Sequence, residues 1–143
     1  MKYVLDTNIV SQAMRANPRV LGHLNAAEHD QLLLSVVTFA EVEFGIARAP
    51  KGPRGRSRRG EELRELFDAL LTYVDVAAWD RAAAERYVAI RVECEAAGKA
   101  IDQADLMIAA HAASLGATLV TADKALLRHA RIRTMPPSVS WLT

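Results

Sequence analysis

The sequence predicts an α/β fold: a mainly parallel central sheet with helices on both faces, three layers deep. Three observations predict it. Short apolar runs alternate with segments of helical periodicity, the signature of βα units. The run Leu32 to Val37 is apolar apart from Ser35, as a strand buried on both faces should be. Asp6, Glu41, Asp105 and Asp123 recur where such a sheet ends a strand or starts a helix.

The elements follow in order. Residues 2–6 read as the first strand, and Ile9 to Met14 as a short helical turn. Residues 18–28 form a helix with Pro18 in its first turn. Residues 32–37 are the buried strand, and 39–49 the next helix. Residues 61–72 carry Leu63, Leu66, Phe67, Leu70 and Leu71 on one helical face. Residues 73–77 suit a short strand. A long helix runs from Asp80, an N-cap, to Gly98, a stop, with Ala83, Tyr87, Ile90, Cys94 and Ala97 on its apolar face. Residues 103–115 form a helix apolar almost all round, ended by Gly116. Residues 118–121 make a central strand and Ile132 to Thr134 a last short one, before Pro136 and Pro137 stop regular structure.

The 143 residues suffice for one domain, 1–143, with a real core. Formal net charge is +1, so any electrostatic case for nucleic acid must be local. The single cysteine, Cys94, excludes an internal disulfide and a thiolate zinc site, and suits a reducing cytoplasm, the expected location. Asp6 interrupts the N-terminal apolar run too early for a secretion signal. No stretch reaches the roughly eighteen uninterrupted apolar residues of a membrane helix. Residues 50–60 are the one break in composition. They hold five basic side chains, no acid, and repeated Gly and Pro, so they read as a flexible basic loop.

Three of the four acids have an ordinary explanation. Thr38 and Glu41 fit a capping box that puts Glu41 in the first turn of its helix. Asp102 and Asp105 fit another capped start, and Asp123 fits a cap for the segment from Lys124. Asp6 lacks a following helix pattern strong enough to make capping its main purpose. Together the four project toward one sheet edge, where they repel unless a cation neutralises them. Carboxylates without histidine or thiolate partners suit Mg²⁺ or Mn²⁺ rather than Zn²⁺.

The stretches Leu5-Asp6-Thr7-Asn8, Ser35 to Ile46, Asp105 to Ala110 and Leu119-Val120-Thr121-Ala122-Asp123 resemble the PIN domain, and more narrowly VapC-type toxins of toxin–antitoxin pairs. The resemblance spans residue 2 to about 125, with the motifs in the family's order. It implies a PIN-like α/β/α fold and a Mg²⁺-dependent endoribonuclease leaving a 5′-phosphate and a 3′-hydroxyl. It makes Asp6, Glu41, Asp105 and Asp123 the catalytic acids, with Asp6, Asp105 and Asp123 on the metal and Asn8 and Thr121 supporting them. RNA substrate, a cognate antitoxin and a homodimer are the implied partners. The chain departs from the family after the last acid, where Lys124-Ala125-Leu126-Leu127 replaces a frequent aromatic residue.

Two rival readings differ in class. A haloacid-dehalogenase-like phosphatase needs a second acid two positions after the first, and Asn8 stands there. A PIN-like fold kept only for protein binding has no need of intact carboxylates. Dinucleotide binding lacks its glycine-rich turn. Arg48, Arg54 and Arg56 are candidates for RNA or antitoxin contact, against the plainer reading of the loop as a solvated linker. His23, His29, His111 and His129 show no ligand spacing; His111 reads as a hydrogen-bonded core residue, Cys94 as core, and Trp79 and Trp141 as packing anchors. The Tyr87 face of the long helix exceeds what the sheet can cover and is a candidate dimer surface.

Overall fold

Alternating apolar side chains on the strands create two cores, one on each face of a single sheet. A computed structural model describes residues 1–27, 30–127 and 132–134. Its strands are β1 (Lys2–Leu5), β2 (Gln31–Ser35), β3 (Asp75–Ala77) and β4 (Thr118–Val120), all parallel, in the order β3-β2-β1-β4. The helices among the described residues are α1 (Thr7–Met14), α2 (Pro18–Ala26), α3 (Val36–Ala47), α4 (Arg58–Leu70), α5 (Arg81–Ala96), α6 (Gln103–Ser114) and α7 (Lys124–Leu127).

On one face Leu5, Leu32, Leu34 and Val120 pack with Ile9, Val10, Val20, Phe67 and Leu70 from α1, α2 and α4. On the other, Val4, Leu33 and Leu119 pack with Ile90, Cys94, Leu106, Ile108 and Ala109 from α5 and α6. That is the expected three-layer α/β/α arrangement. Phe67 is fully buried and its ring centroid lies 5.7 Å from that of Phe39, which fastens α4 to α3. Arg64 of α4 grips Glu43 of α3 with both guanidinium nitrogens, and this pairing holds the Glu43 carboxyl below its usual range.

Several boundaries differ from the sequence expectation. β2 stops at Ser35, two residues early, because the Ser35 hydroxyl accepts from Val37 N at 3.2 Å and turns the chain into α3 three residues before the expected start. Thr38 is therefore not the cap, and Glu41 lies beyond the first turn. Arg58 and Arg59 belong to the first turn of α4, capped by Ser57, rather than to the loop. The last strand shrinks to one bridge between Leu119 and Thr134. Gly98 and Gly116 do end α5 and α6, at φ of 66° and 63° that a side chain would strain. The exposed apolar surface of α5 is Val88 and Val92, at 60% and 62%, whereas Tyr87 is half-buried against Trp79. Trp79 also donates to Met107 O at 3.1 Å, a packing anchor with its polar end satisfied. His29, His129, Trp141 and the Pro136-Pro137 pair lie outside the described residues. Among the described residues no helix is long and apolar enough to cross a membrane.

Candidate metal centre

The sheet order places a switch point between β1 and β4. The chain leaves β1 toward β2 on one side, while β4 lies on the other. A crevice at the carboxyl ends of these strands follows from that topology. Asp6 comes directly after β1, and Thr121 to Asp123 directly after β4. A hydrogen bond from Asp6 N to Val120 O, 2.9 Å, ties the two strand ends together.

Asp6 is fully buried, and its carboxylate is held from three sides. Thr7 N donates to Oδ1 at 2.8 Å. The Thr121 hydroxyl donates to Oδ2 at 2.6 Å, and Asn8 Nδ2 donates to the same oxygen at 3.3 Å. Asn8 Oδ1 in turn accepts from Ala122 N at 3.0 Å, so Asn8 links the β1 and β4 loops. Asp6 thus caps α1 after all, in addition to facing the crevice. Burial raises its pKa most; Asp123 and Glu41 add repulsion, while the Thr121 and Thr7 bonds pull the other way.

Asp105 sits in the first turn of α6, but Asp102 supplies the cap, accepting from Ala104 N at 3.1 Å. Half-buried Asp105 is raised to about 6, first by desolvation and then by repulsion from Asp6, Asp102, Asp123 and Glu41. Asp123 Oδ1 accepts from Ala125 N at 2.9 Å, which caps α7 and leaves Oδ2 for other work. Glu41 is exposed and anchored by the Thr7 hydroxyl, which donates to its Oε1 at 2.7 Å.

The structure therefore brings Asp6, Glu41, Asp105 and Asp123 to one rim, close enough to repel one another. It does not close them into a cage. Among the described residues, no three of His, Cys, Asp or Glu stand close enough to hold an ion by themselves. Those ligands are hard oxygens, and Mg²⁺ ordinarily keeps several of its waters while taking one or two carboxylates. An open rim of mutually repelling acids fits that ion better than a compact thiolate or imidazole site would.

Sequence reasoning overlooked two residues that shape the rim. Thr7 is one: nothing in the local pattern says that its hydroxyl will reach α3. Ser35 is the other. Besides capping α3, its hydroxyl lies 2.8 Å from Nδ1 of buried His111 on α6, joining the helices that carry Glu41 and Asp105. Burial lowers the His111 pKa by disfavouring the charged ring; the nearby Ala78 backbone and Asp80 offset this in part. His Nε2 makes no hydrogen bond of good geometry among the described residues. The basic side chains divide. Arg48 lines a groove that begins at Thr7 and Glu41, whereas Arg54 and Arg56 line a separate shallow depression with Gly52, Pro53 and Arg58.

Comparison with family profiles matches the PIN domain over residues 3–132. The chain belongs to the PIN-domain family. Among the relatives of this PIN domain is the plasmid stability protein StbB of Pseudomonas syringae pv. tomato, 32% identical over 136 residues, covering 94% of this chain and 96% of that protein. The VapC ribonuclease Y4jK of Sinorhizobium fredii is 34% identical, covering 84% of this chain and 86% of its own. VapBC2 of Rickettsia felis, solved bound to a DNA fragment from its promoter, superposes with a TM-score of 0.84 at 25% identity, covering 94% and 98% of the two chains. These likenesses make this a PIN domain of the VapC type.

Proposed function

We propose that this PIN domain is the toxin of a toxin–antitoxin pair, a divalent-metal-dependent endoribonuclease that hydrolyses RNA phosphodiester bonds. The observation that carries it is the acidic rim at the β1–β4 switch point, in which Asp105 is raised to about 6, first by burial and then by repulsion from its carboxylate neighbours. The relatives named as VapC ribonucleases support the reaction class.

Asp6, Asp105 and Asp123 are the residues that would hold the ion, Mg²⁺ or Mn²⁺, in part through its retained waters, since the three do not close on it by themselves. Bound there, it supplies positive charge to the phosphodiester and acidifies a water. Thr121 and Asn8 orient the Asp6 carboxylate, and the Thr121 bond works against the rise in pKa that burial imposes. Thr7 fixes Glu41 at the open side of the rim, where its carboxylate can accept the proton of the attacking water. The water oxygen bonds to phosphorus, the P–O3′ bond breaks, and the 3′ oxygen leaves as a hydroxyl after protonation. A phosphatase of the haloacid-dehalogenase kind has no support, since Asn8 donates to Asp6 where that chemistry needs a second acid.

The partners follow the neighbours, solved as toxin–antitoxin complexes. An apolar groove of about 270 Å³ lined by Ala13, Met14, Leu21, Leu66 and Tyr73 suits an apolar stretch of such an antitoxin. Val88 and Val92 suit a second copy of this chain. The deciding experiment is RNA cleavage by the purified toxin, freed of antitoxin, with and without Mg²⁺. Cleavage should need the metal and fall at least about 100-fold in Asp6→Asn, with no turnover of small phosphate monoesters. Metal-independent cleavage, or full activity in Asp6→Asn, would refute this reading.

A further inference from the structure

Glu41 stands at the mouth of a groove of about 260 Å³ that leads away from the acidic rim. Thr7 and Arg15 line one side, Glu41 and Arg48 another, and Arg59 reaches in from α4. Three arginines and one carboxylate thus line the same groove. Arg15 and Arg48 have no acidic partner among the described residues, and Arg59 has only the solvent-exposed Glu62, at 3.4 Å.

Beside the groove Phe44 is 64% exposed, and the Arg48 guanidinium lies 5.3 Å from its ring centroid. Glu41, Phe44 and Arg48 follow one another at helical spacings of three and four, so the ring sits between the acid and the cation along α3. Gly45 also lines the groove. A mid-helix glycine weakens a helix, and this one has no internal packing reason, because a Cβ there would meet nothing within 4 Å. Its missing side chain leaves that part of the groove open.

We propose that this groove is the track for single-stranded RNA: a base next to the scissile phosphate stacks on Phe44, and the flanking phosphates lie along Arg15, Arg48 and Arg59. The proposal rests on the ribonuclease reading above. An exposed ring with an arginine beside it is a sequence-tolerant platform for a base, and a row of arginines follows a phosphate backbone. An acidic protein segment would also satisfy the arginines. RNA is favoured because the groove opens onto the carboxylate rim, where the reacting phosphodiester must lie, and because an unstacked base uses the Phe44 face.

The test measures binding apart from cleavage. In an Asp6→Asn background with Mg²⁺ present, fluorescence anisotropy follows a labelled mixed-sequence RNA of about ten nucleotides, within the range one such groove can track. Phe44→Ala should weaken binding about tenfold, and Phe44→Trp should restore it. Arg15→Ala and Arg48→Ala should each lower the slope of log affinity against log salt by about 0.7. Gly45→Leu should melt no earlier than the parent yet bind RNA more weakly. Unchanged affinity and salt slope in these variants would overturn the proposal. So would loss of capture of the co-expressed antitoxin with RNA binding intact, which would assign the groove to protein. Failure of the ribonuclease reading is separate: the chain with Asp6 in place would then not cut RNA at all.

Discussion

Asp105→Asn should make the metal-free protein more stable at neutral pH. The carboxyl is raised from 3.8 to about 6, a shift of about two units. Each unit corresponds to about 1.4 kcal/mol between protonation states, so the unscreened limit is about 3 kcal/mol. Asp105 is only half-buried, and solvent screening reduces that to about 1.5 kcal/mol. Losing a charge favoured by the α6 N-terminus returns about 0.5 kcal/mol. The net gain is about 1 kcal/mol, or about 3 °C in Tm for a domain of this size. The sign follows from proton linkage. The native carboxyl binds its proton more tightly than the unfolded one, so ionising it penalises the fold. The penalty is absent below about pH 4, grows between about 4 and 6, and is complete above. Thermal unfolding in EDTA, followed by circular dichroism at pH 7.5 and pH 4, should show the variant ahead at the first and level at the second. Added Mg²⁺ should raise the melting point of the parent and leave the variant nearly unmoved. A variant less stable than the parent at both pH values would refute the reasoning, because Asp105 would then be serving the fold rather than straining it.

Two further predictions concern what surrounds the rim. Thr121→Val removes the hydroxyl that donates to Asp6 and accepts from Asp123 N, so stability should drop by about 1–3 kcal/mol in urea titration. The lost bond had lowered the Asp6 pKa, so the acidic limb of the cleavage profile should move to higher pH; an unmoved limb would show that Thr121 does not tune Asp6. Phe67→Ala opens a void beneath α3 and α4 and should cost about 3–5 kcal/mol, checked by the urea midpoint at unchanged slope; a loss under about 1 kcal/mol would mean that this core collapses around the gap.

What the sequence discloses depends on how local each cause is. The buried strand at 32–35 was readable because a parallel strand covered on both faces must be apolar throughout, and Leu32, Leu33 and Leu34 satisfy both cores at once. Its end was not. Val36 and Val37 continue the apolar run, and only the Ser35 hydroxyl, turned onto Val37 N, starts the helix there. The rim acids were legible as a set because a parallel sheet sends every strand end to the same edge. Their supports divide by distance along the chain. Asn8 is two residues from Asp6, whereas Thr7 binds Glu41 across 34 positions and Ser35 meets His111 across 76. No periodicity encodes such contacts.

These distant contacts hold the acidic rim together against its own charge. Mutual repulsion among Asp6, Glu41, Asp105 and Asp123 pushes the crevice apart. The restraints against it lie below and behind the acids, not between them. The Asp6 N to Val120 O bond closes the strand ends, Asn8 spans the two loops, and the Ser35–His111 contact holds α3 to α6. Each of these three bonds uses neutral groups or backbone, although the Asn8 amide also donates to Asp6 Oδ2 at 3.3 Å. The chain separates the residues that would bind charge from those that position them, and the strain in Asp105 is what a bound cation would relieve.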